Sequence, residues 1–356
     1  MLKAIIHLTS TIRICLLLAL CLAGTSMAAE STPATEVKLK PALLQYLYDQ
    51  VLVADSQAAF ESLQKLQEQL ASQNANQPDW PLLQASYRDL ALHWKAVEAM
   101  YIAGDLSDDY LDHPRYIDYY HQGNESISEQ VNKALASNMA LPKALFKHSN
   151  KGINALEVML FPSQPITADL AARHIQAAQL SSQTIAMWLG EIAAFYSTDQ
   201  SFMAGGKSSL SLLVNRLIDS SYKLAYWRVG EAAGLTPKTK DALHPQSLEF
   251  QHAKLSRDAI ERILQTHQKI IRNTAGQDLM SVGKAVGVAP DIAFLQTRLD
   301  TTMAALQAVP EPFAEELTSA AYKTLFNELA MLQNAYYFML INSLNLEARI
   351  LDADGD

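Results

Sequence analysis

Apolar residues in this chain recur at helical spacing almost from end to end, and nowhere do they alternate long enough to read as a strand. Leu43, Leu47, Val51, Ala54 and Ala58, continued by Leu63, Leu66 and Leu70, form one stripe starting at Pro41. A turn over 73–79 ends it. Asp79 then caps a helix opening at Trp80-Pro81, with Leu83, Tyr87, Leu90, Trp94, Val97 and Tyr101 on its apolar face and Gly104 at its end. The next helix starts at Asn124 or Ser126, and Pro142 opens another that is predicted to run through Gly152 to Leu160. Further stripes cover Thr167 to Tyr196, Leu210 to Leu224, Ser247 to Ala275, Asp291 to Ala308 and Pro312 to Leu351. About nine such stretches with mostly short breaks predict an all-α fold of antiparallel helices. One bundle cannot use so many, so the chain is expected to form two helical-bundle halves, 29–163 and 164–356, divided near Phe161 to Ile166.

Residues 1–28 read as a secretory signal peptide. Lys3 and Arg13 precede the apolar run Ile14 to Ala23, and Ser26-Met27-Ala28 supplies the small residues of a cleavage site after Ala28. That places the protein in the periplasm or cell envelope, with membrane contact peripheral at most, because no later stretch approaches the ~20 apolar residues of a spanning helix. Both cysteines, Cys15 and Cys21, fall within the signal, so the mature chain forms neither a disulfide nor a thiolate metal site. Its stability must come from a hydrophobic core, which 49% apolar composition supplies. A net charge of -9 makes nucleic acid an unsuitable partner.

One carboxylate interrupts the apolar pattern. In Gly152-Ile153-Asn154-Ala155-Leu156-Glu157-Val158-Met159-Leu160, Ile153, Leu156 and Leu160 share a helical face with Glu157 beside them and Asn154 just beyond. A buried Glu must be paired, hydrogen-bonded or bound to a cation. Arg216 and Arg228, on the apolar helix around 208–230, are the candidate partners if the role is structural. The functional alternative is a pocket where the two halves meet, with Glu157 recognising a cation or a cationic ligand.

The segment resembles the Gly-x-His-x-x-Glu motif of the imelysin family of bacterial envelope proteins, with Gly152 and Glu157 matching and Asn154 at the histidine position. The ending Asp354-Gly355-Asp356 is similar to one common in that family. The resemblance implies an all-helical, duplicated fold, a classification as metallopeptidase and a link to iron uptake.

The residues argue against zinc hydrolysis. No His-Glu-x-x-His is present, and an amide oxygen at position 154 is a poor ligand for zinc or ferrous iron. None of the mature chain's histidines lies three or four residues from another. The aromatic segment 105–123 carries Asp112, His113, Arg115 and His121; with Glu157, His113 and His121 are the candidate metal ligands, and Asp112 and Arg115 are candidate ligand contacts. If a metal is held, donors of this kind suit a divalent cation or iron. The leading expectation is an exported, non-catalytic protein that binds a small ligand or metal ion in connection with iron acquisition. A metallopeptidase and a structural protein that binds an envelope partner are the alternatives.

Overall fold

In the computed structural model, residues 41–123, 125–163 and 165–348 are described, and every regular element among them is helical. The signal segment 1–28 and the acidic ending Leu351 to Asp356 lie outside the described residues. We label the longer helices α1 (Pro41–Leu47), α2 (Ala54–Ser72), α3 (Trp80–Ala99), α4 (Ile127–Ala136), α5 (Ile153–Leu160), α6 (Ala168–Thr198), α7 (Lys207–Tyr222), α8 (Ser256–Ile271), α9 (Leu279–Val286), α10 (Ala289–Gln307) and α11 (Ala320–Ala335). Three π-helical segments extend this set: Tyr48–Val53 joins α1 to α2, Lys223–Gly230 continues α7, and Tyr336–Ile341 continues α11. No helix among the described residues is long and apolar enough to cross a membrane.

Local chemistry sets several of the ends. The Asp79 carboxylate accepts from Leu82 N–H to start α3, Ser126 caps α4, and Thr167 caps α6. Asp278 caps α9, which Gly287 closes in the left-handed conformation at φ 83°.

The helices sort into two packing groups. In the first, α2 packs on α3 and α6, and α5 packs on α6, so helices on both sides of Phe161 to Ile166 share one group. In the second, α10 packs on α8, α9 and α11, while α11 also packs on α7 and its π extension. The groups meet where α3 lies against α8.

Three predicted elements differ. The helix expected from Pro142 through Leu160 is broken into a single turn, Leu141–Ala144, a 3-10 turn, His148–Lys151, and α5. Gly152 is extended there (φ -79°, ψ -176°) and presses so close to the Ile117 carbonyl that a Cβ would lie 2.7 Å from its oxygen. The helix expected from Ser247 starts only at Ser256, because 248–255 folds into turns with Phe250 and Lys254 at positive φ. Similarly, the last helix begins at Ala320 under a Ser319 cap rather than at Pro312. The aromatic segment 105–123 is pinned by three short turns, Ala103–Leu106, Asp108–Tyr110 and His113–Ile117.

Candidate functional site

Where the two groups meet, α3 brings Lys95 and Glu98, the aromatic segment brings Asp118, the π extension of α7 brings Arg228, and the 248–255 turns bring Glu249. Lys95 is fully buried, yet its ammonium lies 2.7 Å from Glu98, 2.6 Å from Asp118 and bonded to Glu249. Arg228 closes the ring, with Nε 2.7 Å from Glu249 and Nη2 2.9 Å from Glu98. Trp94 Nε1 donates to Asp118 at 2.9 Å, and Arg228 lies over the Tyr120 ring. Burial opposes every charge here, but the partners win where they are closest. Lys95 is raised above its ordinary value by Asp118, Glu249 and Glu98, and Glu98 is held down to about 2 by Arg228 and Lys95.

Beside this cluster lie the two motif positions. Tyr119 N–H donates to Asn154 Oδ1 at 2.7 Å, and Ala253 N–H donates to Glu157 Oε1 at 2.7 Å. Each motif side chain therefore ties a neighbouring loop to α5. Glu157 is 4% exposed, and burial, reinforced by Glu249 and Asp118, pushes its carboxyl up to about 8 despite the backbone amides of Ala253 and His252. Glu157 is thus protonated at neutral pH.

A cavity of about 1580 Å³ opens over these residues. Of the residues singled out in the sequence, it brings together Asn154, Glu157, Arg216 and His121. The expected arginine partners of Glu157 go elsewhere, Arg216 to Asp105 at 2.8 Å and Arg228 into the ionic cluster behind the wall. Gly152 serves through its close backbone approach at the start of α5. His121, at φ 60°, stacks on Trp227 with ring centres 4.0 Å apart and faces Glu231 at 2.9 Å. His113 is held apart from it, 2.7 Å from Glu191 on α6 and against Trp188. Asp112 and Arg115 pair with each other at 3.5 Å on the exposed surface, away from the cavity.

The sequence profile of peptidase M75, imelysin, matches residues 47–335. The chain belongs to the imelysin family. An imelysin-like protein from Psychrobacter arcticum 273-4 shares its fold at a TM-score of 0.72 and 19% identity, over 88% of this chain and 99% of that one. A second crystal structure, from Parabacteroides distasonis ATCC 8503, carries the name of an iron-regulated protein A precursor; it is similar at a TM-score of 0.63 and 13% identity, over 85% of this chain and 94% of that one. No curated protein matches the sequence.

Imelysins are classed as metallopeptidases, so the donors must be tested for a metal. At the motif itself, Asn154 and Glu157 have each given an oxygen to a backbone amide. Among the described residues, the one group of three converging ligands is Glu98, Asp118 and Glu249. Its centre is taken by the Lys95 ammonium, with Arg228 on the outer oxygens. A resident zinc or iron does not fit this donor set. The chain supplies the cation itself.

Lys95, Glu98 and Glu249 were not singled out in the sequence, although each carries the signal that marked Glu157, a charge set among apolar neighbours. Lys95 follows Trp94 in the apolar stripe of α3, and Glu249 stands between Leu248 and Phe250.

Proposed function

We propose that this imelysin is an exported, non-catalytic binding protein of the cell envelope whose cavity takes a cationic small ligand. The observation that carries the reading is the use of Asn154 Oδ1 and Glu157 Oε1 to tie the Tyr119 and Ala253 backbones, a structural use of the two positions at which the family motif places a histidine and a glutamate. Charge supports the ligand class. Asp105, Glu125, Glu129, Asp219, Glu231 and Glu249 line the cavity against Arg216, Lys223 and Lys238, with Glu157 contributing a neutral carboxyl. Its aromatic wall already accepts one ammonium, since Lys223 lies 5.2 Å from the centre of the Trp227 ring. The name of the Parabacteroides distasonis relative supports a connection with iron acquisition, and the leader supports export with cleavage after Ala28.

Calorimetry on the purified protein with spermidine, zinc and ferric citrate tests the binding, and casein hydrolysis tests the chemistry. Spermidine is expected to bind, and casein to remain intact. Hydrolysis abolished by a chelator overturns the non-catalytic reading, and binding of ferric citrate but not spermidine overturns the ligand class. Asn154→His rebuilds the family's two-ligand turn and is expected to gain zinc affinity over the natural chain. Equal, tight zinc binding by both refutes the argument from position 154. For location, the osmotic-shock fraction should yield a chain starting at Ala29, and a cytoplasmic chain starting at Met1 refutes export.

A further inference from the structure

Away from the cavity, the segment between α4 and α5 has an unusual surface. No Asp or Glu occurs from Gln130 to Leu156, whereas Lys133, Lys143, Lys147 and Lys151 all do, in a chain whose net charge is -9. At its tip Phe146 is 68% exposed, the highest value among the large exposed hydrophobic side chains described, and Met139 is 44% exposed. Neither side chain is displaced by loose packing. Leu141 and Leu145, on either side of the turn, are buried, and Arg173 of α6 clamps the preceding loop through the carbonyls of Ala134 at 3.0 Å and Met139 at 2.7 Å. The turn is therefore held firmly while it presents a phenyl ring and a thioether to solvent. Lys133 and Lys143 are exposed in the same stretch of chain, and Lys147 reaches back to Glu125 at 2.5 Å.

We propose that this turn is a docking surface for an anionic lipid bilayer. Apolar tips flanked by lysines match the two layers of such a surface: the phenyl ring and thioether enter the acyl boundary while the ammonium groups stay among the anionic headgroups. Charge complementarity selects the partner, because an acidic protein gains attraction to an anionic membrane only where its lysines outnumber its carboxylates, as the four lysines and no carboxylate of residues 130–156 do. The contact is reversible, since one ring, one thioether and a few lysines fall short of stable anchoring.

Co-sedimentation of the purified protein with vesicles rich in phosphatidylglycerol, against vesicles of phosphatidylcholine alone, tests the proposal. Binding to the first and about tenfold weaker binding to the second is expected at low salt. The double variant Phe146→Ser/Met139→Ser and the double variant Lys133→Gln/Lys143→Gln should each lose about tenfold in vesicle affinity while melting like the natural protein. A Phe146→Trp variant should shift its emission to the blue on adding anionic vesicles. Failure of the natural protein to sediment with anionic vesicles overturns the proposal, as does unchanged sedimentation of the Phe146→Ser/Met139→Ser variant. Dextran sulfate that captures the natural protein and this serine variant equally, without vesicle binding, would assign the patch to an acidic polymer instead.

Discussion

Glu157 is an acid kept neutral by its surroundings, and this fixes how it acts on stability. Its folded value of about 8 stands above the ordinary 4.5, so the folded protein holds a proton that the unfolded chain releases. The contribution is therefore full below pH 4.5 and is lost as pH rises toward 8. Near pH 7 the loss amounts to roughly 3 kcal/mol. Glu157→Gln keeps the shape without the proton, so urea denaturation should show it more stable than the natural protein at pH 8 by about 2 to 4 kcal/mol and level with it at pH 4. Glu157→Ala has the opposite effect, because it leaves a hole and orphans the Ala253 N–H, at a cost of about 2 to 4 kcal/mol. Lys95→Met should cost more, about 3 to 5 kcal/mol, since Glu98 and Glu249 then share Arg228 alone and Asp118 loses its ammonium partner. If Lys95→Met melts like the natural protein, the internal ammonium is not what holds the cluster. Glu157 was legible in the sequence as a charge inside a stripe. Its partners were not, because a backbone N–H at Ala253 leaves no mark in residue identity.

Among the helices, legibility followed the range of the interactions that set their ends. Asp79 and Thr167 cap α3 and α6 through neighbours three residues on, and both ends were readable from local sequence. The start of α5 depends on the Ile117 carbonyl, far along the chain, and the predicted helix ran straight through it. The 248–255 turns were likewise missed, because Glu249 is drawn to Lys95 and Arg228 and the backbone at Phe250 and Lys254 takes up the strain. Gly152→Ala tests the close approach. Its backbone is open to any residue, so the whole effect is steric, and the carbonyl at 2.7 Å cannot yield cheaply. Thermal melting should show a loss of about 1 to 3 kcal/mol, with Tyr119 and Asn154 pulled apart. A control, Gly123→Ala, where no atom lies within 4 Å, should lose only the cost of its positive φ, about 1 kcal/mol.

For the molecule as a whole, two buried groups bound the stability profile from opposite sides. His267 is buried against Ser220 and Tyr336, and burial lowers it to about 3 from 6.5. Its contribution is present above pH 6.5 and is lost as pH falls toward 3, the reverse of Glu157. The midpoint of urea denaturation should therefore change least between about pH 4.5 and 6.5 and fall on both sides. His267→Gln should soften the acid limb, and Glu157→Gln the alkaline one. A profile that climbs steadily to pH 8 would contradict the Glu157 assignment, and one that stays flat from pH 4.5 down to 3 would contradict that of His267. The helical class, the family and the binding of a carboxylate into the core were all legible in the chain. A pocket at Glu157 was expected as well, but most of its lining was not legible, because it is made where residues remote in sequence converge.

That remoteness bears on when the protein can close. Lys95 waits for Glu249, 154 residues later, and Glu157 for Ala253, 96 residues later. Until most of the chain is available, the ammonium has Glu98 and Asp118 but lacks its third carboxylate, and the ring through Arg228 cannot close. Completion of the site is thus a late event, and the first helices remain open to rearrangement until the turns after the π extension arrive.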